Sequence, residues 1–231
     1  MPAQSDADAL PAAVLFDMDG TLVDSEHLWL ASEIDVMHSL GSDWSEDDQA
    51  HCLGGPLERV AEHMAQRSGT TTSPDEVGRL LLATIETRMR TEPLNWRPGA
   101  LELLRECRVL GIPTALVTAS WDVLVQALAE RMRVDVGVEP FDAVVAGDHI
   151  RNSKPHPEPY QTAARLLGVP PHRCLAIEDS PTGVGSAVAA GCVVVAVPDI
   201  APIDPAAGAA LIASTLEGRR LGELWGCALG R

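Results

Sequence analysis

The 231-residue sequence predicts an α/β protein: a parallel sheet with helices on both faces, interrupted after its first strand by a helical insertion. Three observations predict it. Short apolar runs recur without the polar alternation of half-exposed strands, as expected for strands buried on both faces. Helical patterns separate those runs, and alternation of strand and helix implies a parallel sheet. One long interval, residues 26–95, breaks the alternation with several helical stretches and no convincing strand.

The first run, AAVLF at 12–16, precedes an aspartate-rich turn. The insertion follows, with LWLASEIDVMHSL and EVGRLLLATIETRMR as its clearest helices, and closes on the Pro-punctuated connector EPLNWRPG. After it, Ala100, Leu103, Leu104, Cys107 and Leu110 recur at helical spacing until Gly111 stops the helix. TALVT at 114–118 and DAVVAG at 142–147 read as the second and third strands, CLAIE at 174–178 as the fourth and CVVVAVP at 192–198 as the fifth. QTAARLLG and GVGSAVAAG are the helices before and after the fourth strand. The expected domains are a core of residues 1–25 and 96–231 and a helical insertion of 26–95.

Acidic residues outnumber basic ones 33 to 17, and a net charge of −16 repels nucleic acid and anionic membrane surfaces. A small, metal-neutralised ligand is the expected partner, narrowed below to a small phosphorylated metabolite. Residues 180–198 carry no charge except at Asp199 beyond them, but Pro181, Gly183, Gly185 and Gly191 punctuate the stretch as helix, stop and strand, so no membrane span is expected. The five cysteines form no CxxC pair, which suits a reducing compartment. The first ten residues have neither a basic region nor an apolar one, so a cytoplasmic location is expected. The expected assembly is a monomer, with a dimer as the alternative.

Ligands of such sheets bind beyond the carboxyl ends of the strands. Those ends carry Asp17 and Asp19 after the first, Thr118 and Ser120 at and after the second, Lys154 in the loop beyond the third, and Glu178 with Asp179 after the fourth. Any one of these carboxylates reads most simply as a helix cap. Four around one pocket repel one another and demand a counter-charge. A hard cation with oxygen ligands meets the demand, and Mg²⁺ suits a carboxylate and carbonyl set without paired Cys or His. Four carboxylates and one lysine leave about −3, which Mg²⁺ brings to about −1, so a phosphate can enter. Lys154 is the only lysine in a chain with sixteen arginines, which points to a need for a compact ammonium.

In order and spacing, FDMDGTLVDS, LVTAS, SKPHPEPY and AIEDSPTGVGSAVAAG resemble the four motifs of the haloacid dehalogenase superfamily of aspartate-nucleophile hydrolases, over residues 12–200. The resemblance implies a Rossmann-like core, and the insertion looks like the helical cap of the β-phosphoglucomutase-like group. It implies Asp17 as the nucleophile and Asp19 as general acid and base. It further implies that Asp17, the Asp19 backbone carbonyl and Asp179, with Glu178 beside it, hold Mg²⁺. Thr118 and the Ala119 amide would bind the phosphoryl group with Ser120 beside them, and Lys154 would neutralise nucleophile and phosphate. His27, Trp29 and the Gly54–Gly55 turn would line the substrate. DSEHLW and LGG look most like phosphatases of hexose, deoxyhexose or hexitol phosphates.

Three other readings compete. Receiver domains of signalling proteins share an acidic cluster but need about half this length and have no helical insertion. Dehalogenases of the same superfamily lack the second aspartate, here Asp19. A phosphosugar mutase needs a cationic anchor for a distal phosphate, whereas residues 26–95 hold thirteen acidic residues against five arginines, and Glu58 stands where the mutases of the group place an arginine, beside Arg59.

Overall fold

A computed structural model describes residues 9–53, 55–137 and 141–231. The described residues divide into two compact units: those up to Asp24, those of Asn95–Asp122 and those from Met132 onward form the first, and those within Ser25–Leu94 and Val123–Arg131 the second.

The first unit is built on a parallel sheet of β1 (Ala13–Phe16), β4 (Thr114–Val117), β5 (Ala143–Val145), β6 (Cys174–Glu178), β7 (Val193–Ala196) and β8 (Leu211–Ile212), in the order β5-β4-β1-β6-β7-β8. Between β1 and β4 runs a two-residue antiparallel ladder, β2 (Val23–Asp24) with β3 (Asn95–Trp96), joining the chain segments on either side of the insertion. β8 and this ladder are additions to the five strands that apolar runs predict, because two-residue strands carry too few side chains to produce a pattern.

Alternate residues of the sheet face opposite sides. On one side Leu15, Ala115, Val117, Cys174, Ala176 and Val194 meet Tyr160, Ala163 and Ala164 of α7 (Glu158–Leu167) and Val184, Ala187 and Ala190 of α8 (Pro181–Ala190). So many alanines allow helices to approach the sheet closely. Near the other end of the sheet, α9 (Leu221–Ala228) lies against β7 and β8 and touches α5 (Ala100–Leu110). Leu15 and Phe16 are wholly buried, each contributing roughly 1.5–3 kcal/mol of transfer free energy. The uncharged stretch 180–198 resolves into α8 and β7, and among the described residues no helix is long and apolar enough to cross a membrane.

The second unit comprises α1 (Glu26–Ser39), α2 (Glu46–Cys52), α3 (Leu57–Ser68), α4 (Pro74–Thr91) and residues 123–131 of α6 (Asp122–Val136). Its apolar interior includes Leu28, Val36, Met37, Val60, Met64, Leu81, Ile85 and Met89. α2 opens on a capping box in which the Ser45 hydroxyl accepts from the Asp48 amide and the Asp48 carboxylate accepts from the Ser45 amide. α4 opens on Ser73 with Pro74 in its first turn.

Candidate active site

β1 is a central strand, paired in parallel with β4 and β6. The ladder continues one residue past each end: the Asp17 amide donates to the Ile177 carbonyl and the Thr118 amide to the Val145 carbonyl. Backbone register therefore delivers Asp17, Thr118, Glu178 and Asp179 to one edge.

There, oxygens of Asp17, Glu178 and Asp179 lie within 4.8 Å of one another. Lys154 Nζ donates to Asp17 Oδ1 at 2.5 Å and to Glu178 Oε1 at 2.6 Å, with its side chain 7% exposed. The charge crowding has the consequence expected of it. Burial first, then Glu178 and Asp179, hold the Asp17 carboxyl well above its ordinary range, partly offset by Lys154. Burial and Glu178 push Asp179 up to about 7. Burial alone would lower Lys154, but Asp17 and Glu178 outweigh it and keep the ammonium protonated.

Asp19 stands apart from that trio. Its Oδ2 accepts from the Ser120 hydroxyl at 2.6 Å. The Ser120 amide in turn donates to Thr118 Oγ1 at 2.9 Å, folding residues 118–120 into a tight turn. Gly147 backs this turn: its amide donates to the Ser120 carbonyl, and a Cβ there would collide with the Ala119 carbonyl. His27 and Gly55 belong to the helical unit. His27 is exposed in the first turn of α1, and Gly55 carries the Arg59 guanidinium folded against its backbone, with Arg59 Nη2 3.4 Å from the Cys52 carbonyl. Trp29 also lies on α1, and Gly54 lies outside the described residues.

Several residues at the edge lie within the quoted motifs but receive no role from them. Thr21 Oγ1 donates to Asp179 Oδ1 at 3.3 Å. Gly20, at φ +80°, and Gly183 leave space that the Asp179 and Glu178 carboxylates occupy, and a Cβ at either would overlap its carboxylate. Tyr160, wholly buried, donates to Glu178 Oε1 at 2.6 Å. The signal for Tyr160 is the one that marks Lys154, since it is the chain's single tyrosine. The glycines give no such signal, because helix and turn glycines are common.

The donor set, the buried carboxylates of Asp17 and Glu178 with the half-buried Asp179 and no sulfur or imidazole among them, fits a hard divalent cation. The raised Asp17 and Asp179 fit it as well, since burial first and the neighbouring carboxylates second disfavour their charged forms, and a bound cation would favour them.

Comparison with known proteins agrees with this geometry. Residues 14–197 match the family model described as haloacid dehalogenase-like hydrolase. The chain is 34% identical over 181 residues to hexitol phosphatase B of Escherichia coli K12, covering 77% of this chain and 79% of that protein. It is 33% identical over 191 residues to the protein CbbY of Cereibacter sphaeroides, covering 79% and 83%. The crystal structure of CbbY from Rhodobacter sphaeroides in complex with xylulose-(1,5)bisphosphate superposes with a TM-score of 0.81 at 28% identity, over 93% of this chain and 99% of that one. Parallel sheet, helical insertion and acidic strand ends together with these matches lead to one conclusion: this chain belongs to the haloacid dehalogenase-like hydrolases.

Proposed function

We propose that the protein is a Mg²⁺-dependent phosphatase of small phosphomonoesters, sugar or polyol phosphates, working through an aspartyl-phosphate on Asp17. The observation that carries the reading is the Lys154 ammonium held between Asp17 and Glu178 within a buried carboxylate cluster. It favours the anionic form of a nucleophilic carboxylate where burial opposes ionisation, and it brings positive charge to the place an incoming phosphate would occupy. The relatives named as hexitol phosphatases support the substrate class.

In the first displacement an Asp17 carboxylate oxygen attacks phosphorus, the bond to the leaving oxygen breaks, and Asp19 gives that oxygen its proton. In the second, Asp19 takes a proton from water as the water oxygen attacks phosphorus, the bond to Asp17 breaks, and inorganic phosphate leaves. Ser120 holds Asp19 at Oδ2, so the acid and base is oriented by a neighbour. Thr118 and the Ala119 amide, on the turn braced by Gly147, receive the phosphoryl oxygens. A cation such as Mg²⁺, held by Asp17, Asp179, Glu178 and the Asp19 carbonyl, supplies charge neutralisation when bound.

The test is a panel of hexose, deoxyhexose and hexitol phosphates, pentose bisphosphates and nucleotides assayed with Mg²⁺. Phosphate release abolished by EDTA, and by Asp17→Asn in a folded protein, is the expected result. Robust turnover in excess EDTA, or phosphate trapped on a residue other than Asp17, overturns it. The bisphosphates belong in the panel because Arg59 folds a guanidinium against Gly55 in a unit whose net charge is negative. Supplying β-glucose 1-phosphate with a bisphosphate primer separates phosphatase from mutase: glucose 6-phosphate forming faster than free phosphate would favour the mutase.

A further inference from the structure

We propose that Tyr160 is a positioning residue of this site: its hydroxyl fixes the Glu178 carboxylate beside Lys154 and so sets the geometry with which the acidic trio receives its cation. The inference deepens the phosphatase reading above and rests on it for its catalytic consequence, though not for its effect on metal binding.

Glu178 ends β6 with no exposed surface. Tyr160, in the first turn of α7, reaches it through a hydroxyl 2.6 Å from Oε1. The same oxygen accepts from Lys154 Nζ, also at 2.6 Å, and that ammonium lies 5.4 Å from the centre of the Tyr160 ring, within range of a cation–π attraction. Tyr160 thus touches both partners of the buried ion pair. The other carboxylate oxygen, Oε2, has the longer 3.3 Å contact from the Ser180 hydroxyl, and Gly183 closes in where a side chain would collide. The phenol O–H is the donor of that bond and the carboxylate oxygen its acceptor.

The terminal torsion of a glutamate is intrinsically broad. Two donors converging on one oxygen remove that freedom, and the ring, packed among Ala163, Val184 and Ala187, cannot drift. Without the hydroxyl, Oε1 keeps Lys154 as its remaining donor of the two. Glu178 can then rotate and draw Lys154 away from Asp17. A bland alternative is that the hydroxyl only satisfies a buried acceptor, which would affect stability and nothing else.

The experiment uses the full chain with Tyr160→Phe, which keeps the ring and removes one oxygen. Mn²⁺ binding without substrate is read from the paramagnetic resonance of the free ion, with kcat and KM measured alongside. We expect Mn²⁺ to bind about tenfold more weakly and kcat to fall by a similar factor with KM little changed, as when a partner of a metal ligand is lost. Because Tyr160 is the only tyrosine, growth on 3-fluorotyrosine labels one position in the otherwise unaltered protein. Its fluorine resonance should shift when Mg²⁺ saturates the site, and this readout stands even if the Phe variant does not fold. A folded Tyr160→Phe protein with Mn²⁺ affinity within about twofold of the parent, or a fluorine resonance indifferent to Mg²⁺, overturns the proposal. A parent chain that binds Mn²⁺ yet hydrolyses no phosphomonoester overturns the phosphatase reading and leaves the positioning role standing; a parent that binds no Mn²⁺ overturns both.

Discussion

At the scale of the residue, the site depends on a single point charge. Lys154 reaches two carboxylates with one nitrogen, at 2.5 and 2.6 Å. A guanidinium is planar, larger and spreads its charge over three nitrogens. Lys154→Arg is therefore expected to lower kcat by at least about 100-fold, the scale of losing one aligned electrostatic donor, while circular dichroism reports an intact fold. Near-normal turnover would make the sole lysine incidental to catalysis. Gly183 is a second sensitive position. It sits in α8 against Glu178, so Gly183→Ala, ordinarily favourable in a helix by up to about 1 kcal/mol, should instead destabilise the protein and weaken its metal binding. A thermal melt in which the variant gains stability would refute the close approach. Lys154 is legible in the sequence through its uniqueness; Gly183 is not, because nothing in GVGSAVAAG distinguishes the glycine that faces a carboxylate from the one that does not.

At the scale of the element, the helical unit carries a charge on its inner face. Helical spacing from Leu28 through Ser32 to Val36 turns Glu33 inward, where it is 6% exposed and accepts from the Trp44 indole at 3.0 Å. Burial raises its carboxyl to about 7, the indole offsets part of that, and nearby Glu26 adds to it. Since the folded value lies above the ordinary 4.5, the associated stability is fully present below about pH 4.5 and is lost as pH rises through about 7. Glu33→Gln, which keeps an acceptor for Trp44 and cannot ionise, should stabilise the protein at pH 8 by on the order of 2 kcal/mol and leave it nearly unchanged at pH 4. Denaturant titrations at both pH values measure this, and an equal effect at the two would exclude the ionisation account. Asp48 behaves in the opposite sense. The Ser45 hydroxyl first, and His63 and Arg67 further on, hold it well below its ordinary value, so the α2 cap loses strength in acid.

For the whole molecule, a net charge of −16 means that any added salt relieves some self-repulsion. Specific binding at the carboxylate trio differs from screening in being saturable. Millimolar Mg²⁺ should raise Tm more than NaCl of equal ionic strength, by an amount equivalent to about 2.7 kcal/mol at a concentration 100 times Kd. Asp17→Asn should remove most of that increment and leave the response to NaCl as it was. Identical Mg²⁺ and NaCl curves would mean that the acidic edge binds no ion selectively.

The sequence by itself determined the α/β class, five strands of the sheet, the principal helices and the set of residues at the strand ends, because buried strands need unbroken apolar runs and glycines stop helices wherever they occur. Only the tertiary structure decided how the charged residues divide: Lys154 between Asp17 and Glu178, Asp19 held by Ser120, and Tyr160 and three glycines shaping the space around them. These relations join positions far apart in the chain, such as Lys154 and Asp17, which are separated by 137 residues. No local pattern encodes such a distance; it arises when β4, β1 and β6 align in register and bring separate turns to one edge.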